Sequence, residues 1–259
     1  MNFTMEPLSP LYVEDALTLL RTASEKGEVL YKPLEKSDYL ERFQGPGCAA
    51  FAAMSEGKLI GWVHAAWQTS FLPGEDANNT PLYLTLLVVD AQHRRQGVGR
   101  ALLHTVSELG RSMHKKHLVV SSNNPVHLTW LIPGAGGHDH NNAPGVATDL
   151  PLHDRMLSLG YRESTRECAM YRNLADYETP AWVEEKAAKM GGEGYHVERY
   201  DPRRHVGLEE MVAALDNTMW SEEIPAAGKN GMDLLVGLKG NVCAGFTGPV
   251  YPEKTGRGY

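Results

Sequence analysis

The chain has 259 residues, 42% hydrophobic and 22% charged, ordinary proportions for a globular protein with one large core or two smaller ones. A formal net charge of −7 argues against general nucleic-acid binding, which needs a basic surface. No apolar run approaches bilayer length, and the N-terminal MNFTMEPLSP lacks the basic and apolar regions of a signal peptide. The three cysteines, Cys48, Cys168 and Cys243, show no metal-like spacing and read as ordinary buried thiols. These features together suit a cytoplasmic protein with neither a membrane nor a nucleic-acid partner.

Taken in order, residues 3–7 suit a first strand. Ser9-Pro10 is a helix start, with Ser as N-cap and Pro at the first helical position, and Val13, Ala16, Leu17 and Leu20 give its buried face. A second helix is expected over 34–43. Residues 48–54 and 59–68 read as a hairpin turned at Glu56-Gly57-Lys58, and 71–80 as a polar loop. The run Leu82 to Val89, LYLTLLVV, has the length and composition of a buried strand. A basic, glycine-rich turn follows, His93-Arg94-Arg95-Gln96-Gly97-Val98-Gly99. Val98, Leu102, Val106, Leu109 and Met113 then recur at steps of four and three, one stripe of an amphipathic helix. Residues 117–122 (HLVVSS) are the next expected strand.

The turn carries the clearest chemical signal. A helix N-terminus leaves backbone N–H groups without partners and bears partial positive charge. Glycine lets the backbone come close to a ligand, and Arg94, Arg95 and Arg100 surround it with full charges. The whole is a socket for phosphate or pyrophosphate. It is not a G-x-x-x-x-G-K-[ST] loop, because Arg100-Ala101 follows Gly99, nor a G-x-G-x-x-G loop, because position 102 is Leu.

The stretch Arg94-Arg95-Gln96-Gly97-Val98-Gly99 resembles the Q/R-x-x-G-x-G/A motif of the Gcn5-related N-acetyltransferases, the GNAT superfamily. The order of elements around it resembles that family over the first two-thirds of the chain. The resemblance implies an α/β GNAT fold, with a mixed, mostly antiparallel central sheet flanked by helices. It also implies acetyl-CoA as cosubstrate. Arg94, Arg95, Gln96, Gly97, Val98, Gly99 and Arg100 would hold the pyrophosphate, and Leu87, Val88 and Val89 would pair with the pantetheine arm. Asn123 and Asn124 end the following strand; Asn124 is a candidate for the same arm, or a turn residue.

Beyond Ser122 the pattern departs from the family. An insertion without periodicity, 123–149, contains Trp130 and Gly136-Gly137-His138-Asp139-His140. Gly160-Tyr161 matches the family's last signature, with strands expected over 161–164 and 167–173. Counting back, Asp149, Leu152 and Met156 stand where the family has Asn, Ala and Tyr. That tyrosine protonates the departing thiolate in the family, and methionine cannot. From Gly191 the chain starts again: a strand over 195–200, a helix start at Asp201-Pro202, a stripe of Leu208, Met211, Val212 and Leu215, and a hairpin over 234–251. This reads as a partial second GNAT-like unit, so that 1–174 form the transferase domain, 175–194 a linker and 195–259 the incomplete copy. It stops where a second motif would begin, which suggests a chain shorter than the natural one or completion by a partner.

For catalysis, His138 and His140 are candidate bases, since histidine titrates near neutral pH. For their loop, a plain structural role ranks first, substrate contact or base second, and a metal site with His127, His153 and Asp154 third. No metal is expected. Tyr83 and Thr85 lie one residue apart on the central strand and face one side; Tyr83 is a candidate base, with packing as the bland alternative. The reading is an N-acetyltransferase acting by direct attack of a primary amine, on a small molecule or peptide, upon acetyl-CoA in a ternary complex. The alternative is a weakly catalytic or non-catalytic CoA-binding unit supporting a catalytic domain beyond Tyr259. An exposed half-sheet makes self-association, as a homodimer, plausible.

Overall fold

The computed structural model describes residues 2–71, 74–121, 124–126, 128, 130–131, 139–140, 146–166, 168, 175–215 and 218–250. They form two compact units, Met1–Tyr171 and Arg172–Tyr259. No helix among the described residues is long and apolar enough to cross a membrane.

In the first unit, β1 (Thr4–Pro7), β2 (Cys48–Ser55), β3 (Lys58–Trp67), β4 (Leu82–Val89) and β5 (Leu118–Val119) form one sheet in that order. The first four are mutually antiparallel, and β5 joins β4 in parallel. One face packs on α1 (Val13–Glu25) and α2 (Lys36–Arg42), the other on α3 (Val98–Ser112) and α4 (Pro151–Ser158). This is a mixed, antiparallel-rich α/β layer arrangement of the kind the GNAT resemblance implies. Ser9 caps a short 3-10 turn, Pro10–Tyr12, which leads into α1, and its hydroxyl accepts the Leu11 N–H. Two short strands fall in the inserted region, β6 (Trp130–Leu131) and β7 (Asp139–His140), paired antiparallel.

β4 is not a regular strand. Leu82 and Leu84 point to the α3 face, whereas Leu86 and Val88 point to the α1 face. A side-chain period of two cannot produce that switch. The ladder shows the cause: Ala65 pairs with Leu84 and His64 with Leu86, leaving Thr85 as the extra residue of a β-bulge. His64 pins it. The imidazole is fully buried, and its Nε2–H donates to the Phe43 carbonyl at 3.0 Å. Nδ1 is therefore the acceptor, and the Thr85 hydroxyl sits 2.5 Å from it. Past the bulge β4 leaves β5, with which it pairs only at Leu82 and Tyr83. Of the strand expected over 117–122, only Leu118–Val119 is strand among the described residues.

Several expectations need correction. Residues 161–166 form no strand, and of 167–173 only Cys168, also outside any strand, lies among the described residues. Cys168 is exposed, not buried, whereas Cys48 is half-buried and Cys243 buried. In the second unit α5 (Ala181–Gly192) packs against β8 (Tyr195–Arg199). Asp201-Pro202 does not start the next helix. Asp201 accepts the Arg203 N–H in a local turn, and α6 (Leu208–Ala213) begins only after Gly207, at φ 81°. A further helix, α7 (Thr218–Lys229), precedes the hairpin β9 (Asp233–Lys239) and β10 (Val242–Val250), and the sheet order is β10-β9-β8. Leu234, Val236 and Leu238 of β9 join Leu208, Val212 and Ile224 in its core, while Leu235 and Val197 stay exposed.

Burial holds His64 neutral, lowering its pKa from 6.5 to about 4 against the opposing pull of the Phe43 carbonyl. The unfolded chain takes up a proton there that the fold refuses, so stability is full above about pH 6.5 and is lost as pH falls toward 4. At ~1.4 kcal/mol per pKa unit this loss reaches roughly 3 kcal/mol. Urea denaturation across this range should show the slope, and His64→Leu should flatten it. An equal slope in both proteins would place the titration elsewhere.

Candidate functional site

The glycine-rich turn connects β4 to α3. Asp90 accepts the Gln92 N–H and opens a 3-10 turn over Ala91–His93. Arg95 then adopts φ 59° and Gly97 φ 92°, both left-handed. That conformation turns successive N–H groups toward one side, the geometry of an anion nest. The first bond of α3 runs from the Ala101 N–H to the Gly97 carbonyl. Among the described residues, nothing accepts the N–H groups of residues 95–100. The start of α3 is pressed close to the sheet because β3 offers Gly61 opposite it. A Cβ there would lie 3.0 Å from the Val88 carbonyl and 3.2 Å from both Val98 and Leu102. Val98 is correspondingly buried beneath the turn.

The three arginines differ. Arg94 is drawn back into the protein: its Nε donates to the Val89 carbonyl at 3.1 Å and its Nη2 pairs with Glu28 at 2.6 Å. It braces the turn against the segment after α1, and this geometry does not aim it at a ligand in the nest. Arg95 and Arg100 are exposed beside the nest. Gln96 donates to the Gln92 carbonyl at 2.9 Å, which closes the turn from within. Gly99 lies on the first turn of α3, where a Cβ would meet only the Val89 side chain, at 3.6 Å.

From Leu84 onward β4 has no strand partner on its β5 side among the described residues. Leu87 and Val88 are buried there and Val89 half-buried. This free edge leads from the bulge to the nest. In the core on the α1 face, Leu86 and Val88 share a cluster with Tyr31, a residue the sequence did not single out. Desolvation pushes the pKa of the buried Tyr31 up to about 12, with the Leu87 backbone opposing the rise. Leu30 and Tyr31 are themselves tied to β6: Tyr31 bridges Trp130, the Leu131 N–H donates to the Leu30 carbonyl at 2.6 Å, and the two rings lie 5.3 Å apart. The only hint in the sequence was an apolar triplet, Val29-Leu30-Tyr31, standing between two helical patterns.

Asn124 is buried, but its amide serves its own turn, donating to the Ser121 carbonyl and accepting the Val126 N–H. That favours its turn role over a pantetheine contact. Tyr83 is buried on β4, and desolvation pushes its pKa up against the opposing effect of Gln68. A phenol held protonated is a poor base, so burial argues against that role. His138 lies outside the described residues. His140 stands on β7 opposite Trp130, which brings the backbone of its strand to the partner of Tyr31. His153 pairs with Glu163 and Asp154. Met156 is buried against the α3 face of the sheet.

Residues 15–128 match the family described as Acetyltransferase (GNAT) family. No curated protein matches the chain. Among solved structures, the aminoglycoside antibiotic 6'-N-acetyltransferase AAC(6')-IG from Acinetobacter haemolyticus is 18% identical, with 67% of this chain and 99% of that one covered, at a TM-score of 0.44. AAC(6')-Ih from Acinetobacter baumannii is 15% identical over 67% and 99%, at 0.45. An acetyltransferase from Trypanosoma brucei is 17% identical over 66% and 100%, at 0.43.

If Gly97 must be left-handed, Gly97→Ala should cost about 1–2 kcal/mol. Gly61→Val should cost a similar 1–3 kcal/mol by overpacking under α3. Gly99→Ala should fold as the parent does. Thermal melts of the three variants check this ranking, and a Gly99→Ala less stable than Gly97→Ala would contradict the turn geometry.

Proposed function

We propose that this protein is a GNAT-type acyl-CoA N-acyltransferase that moves an acetyl group from acetyl-CoA to a primary amine of a small molecule or peptide, by direct attack in a ternary complex. The observation that carries the proposal is the joining of two features: a left-handed backbone nest at the start of α3, and a free edge of β4 that runs into it. The nest and the exposed Arg95 and Arg100 suit a pyrophosphate. The free edge suits an amide-bearing arm, which can pair with a strand as a peptide does. The match of residues 15–128 to the acetyltransferase family supports the same reading.

Within it, residues 87–89 hold the arm and 95–100 the pyrophosphate, with Arg94 positioning the turn. Residues 1–174 are the transferase domain, 175–194 a linker and 195–259 a partial second GNAT-like unit. Met156, in place of a hydroxyl-bearing residue, favours one second reading, a CoA-binding unit that turns over weakly or not at all.

Calorimetric titration with acetyl-CoA should show binding. Gly99→Asp, which has room for its side chain, should keep the melting temperature and weaken binding at least tenfold, because it sets a carboxylate against the pyrophosphate. Unchanged affinity would sink the site assignment. Thiol release measured across a panel of amines separates the readings, since tight binding without turnover favours the second.

A further inference from the structure

The end of α1 is fixed with unusual care. Its apolar stripe, Val13, Ala16, Leu17, Leu20 and Ala23, is buried in the core that holds Trp62 of β3 and Leu86 and Val88 of β4. The helix then stops at Gly27, which takes φ 67°. The Gly27 N–H donates to the Ser24 carbonyl and the Glu28 N–H to the Ala23 carbonyl, both at 2.9 Å. This pair of bonds is a Schellman end, and it sets the backbone of Glu28 relative to the helix. From there the Glu28 carboxylate accepts the Arg94 Nη2–H at 2.6 Å. Glu28 lies outside the glycine-rich motif, 66 residues before its arginine.

We propose that Glu28 is a positioning residue for the coenzyme: it holds Arg94, and through Arg94 the start of the nest, and so strengthens acetyl-CoA binding although its own charge opposes an anion. This rests on the acetyl-CoA reading above.

Two effects of opposite sign meet at this carboxylate. By charge alone Glu28 hinders anion binding, because it repels phosphate and occupies one arginine of the motif. By geometry it helps. Nε and Nη2 lie on one edge of the planar guanidinium. Nε donates to the carbonyl of Val89, the last residue of β4, and Nη2 to Glu28, so the plane is fixed between the strand end and the helix end. Arg94 directly precedes the left-handed Arg95, so this brace acts where the nest begins. A nest of backbone N–H groups binds well only if the groups converge before the ligand arrives; ordering them on binding subtracts from affinity. Exposure decides which effect wins. The Arg94 and Glu28 side chains are 39% and 25% exposed, so water and salt screen the repulsion. Loss of the brace is not screened.

Asp15 provides the control for charge. It lines the same cleft beside α1 as Glu28, but among the described residues the ion pair of Arg94 is with Glu28. The test is calorimetric titration of the full chain with acetyl-CoA, with a thermal melt of each variant. Glu28→Ala should weaken binding about tenfold, the scale of one hydrogen bond to a charged group. Glu28→Gln removes the charge but keeps an oxygen for Nη2, and should recover most of that loss. Asp15→Ala should bind as the parent does. In an Arg94→Ala background, Glu28→Ala should add no further loss, because the two act as one unit. Unchanged or tighter binding in Glu28→Ala, a Glu28→Gln no better than Glu28→Ala, or an equal loss in the Arg94→Ala background overturns the proposal and leaves the acetyltransferase reading standing. A parent protein that does not bind acetyl-CoA overturns both. Should Glu28→Ala melt early, Glu28→Met keeps the length of the side chain without its oxygens, and an affinity equal to the parent's then overturns the assignment.

Discussion

A buried hydrogen bond between an imidazole and a hydroxyl decides what this sheet can do. His64 holds Thr85 out of register, and the extra residue reverses the facing of everything that follows it on β4. Two consequences come from that one contact. Leu86 and Val88 are turned into the α1 core while Leu87 turns to the α3 side, so both faces stay filled through the distortion. The added local twist of a bulge carries β4 away from β5, and its outer N–H and C=O groups are released from the ladder. A regular strand would have spent those groups on β5. The polar pair is fully satisfied in its neutral form, which is why it can lie in an apolar interior at all.

The turn beyond depends on the same economy of backbone groups. In an acidic chain, anion binding cannot come from net charge; it has to be local. The left-handed residues Arg95 and Gly97 gather N–H groups that α3 leaves unbonded, and Gly61 lets α3 approach closely enough to keep that nest at the end of β4. Arg94 shows how one charge can be used for geometry instead of binding. Its bond to the Val89 carbonyl and its pair with Glu28 fix where strand ends and turn begins, and the flanking Arg95 and Arg100 remain to meet an anion. A held left-handed arginine costs on the order of 1 kcal/mol, and such cost is retained where it serves a site.

The main elements of the first unit were legible because their apolar residues repeat with clear periods. LYLTLLVV marked β4 to the residue, and the stripe from Val98 marked α3. The bulge was hidden by the same run. When every position but Tyr83 and Thr85 is aliphatic, a reversal of facing leaves no trace, and Thr85 read simply as sharing one side of the strand with Tyr83. Distance along the chain hid other features. Leu30 and Tyr31 pair with Trp130 and Leu131, which no local pattern reveals. Asp201-Pro202 offered a sound helix start, but Asp201 closed its own turn first, and His205 was drawn to Glu198 and the Asp201 N–H before α6 began. The stretch from Tyr161 was expected as a strand, yet it follows directly on Gly160 at the end of α4 and joins no ladder among the described residues. Propensity proposes strands; partners make them.

The binding and chemical parts of this site answer to different constraints. An anion nest built of backbone N–H groups needs only the path of the chain, so side chains around it can change without loss. Proton transfer needs one group at one place, but it does not matter which element brings it. The open edge of β4 is bordered by α4 on one face of the sheet and by the α1–α2 segment on the other. Met156 of α4 packs on one of those faces and Tyr31 on the other. The inserted region is tied to this core through β6: the Trp130 ring packs on that of Tyr31, and the Leu131 N–H donates to the Leu30 carbonyl.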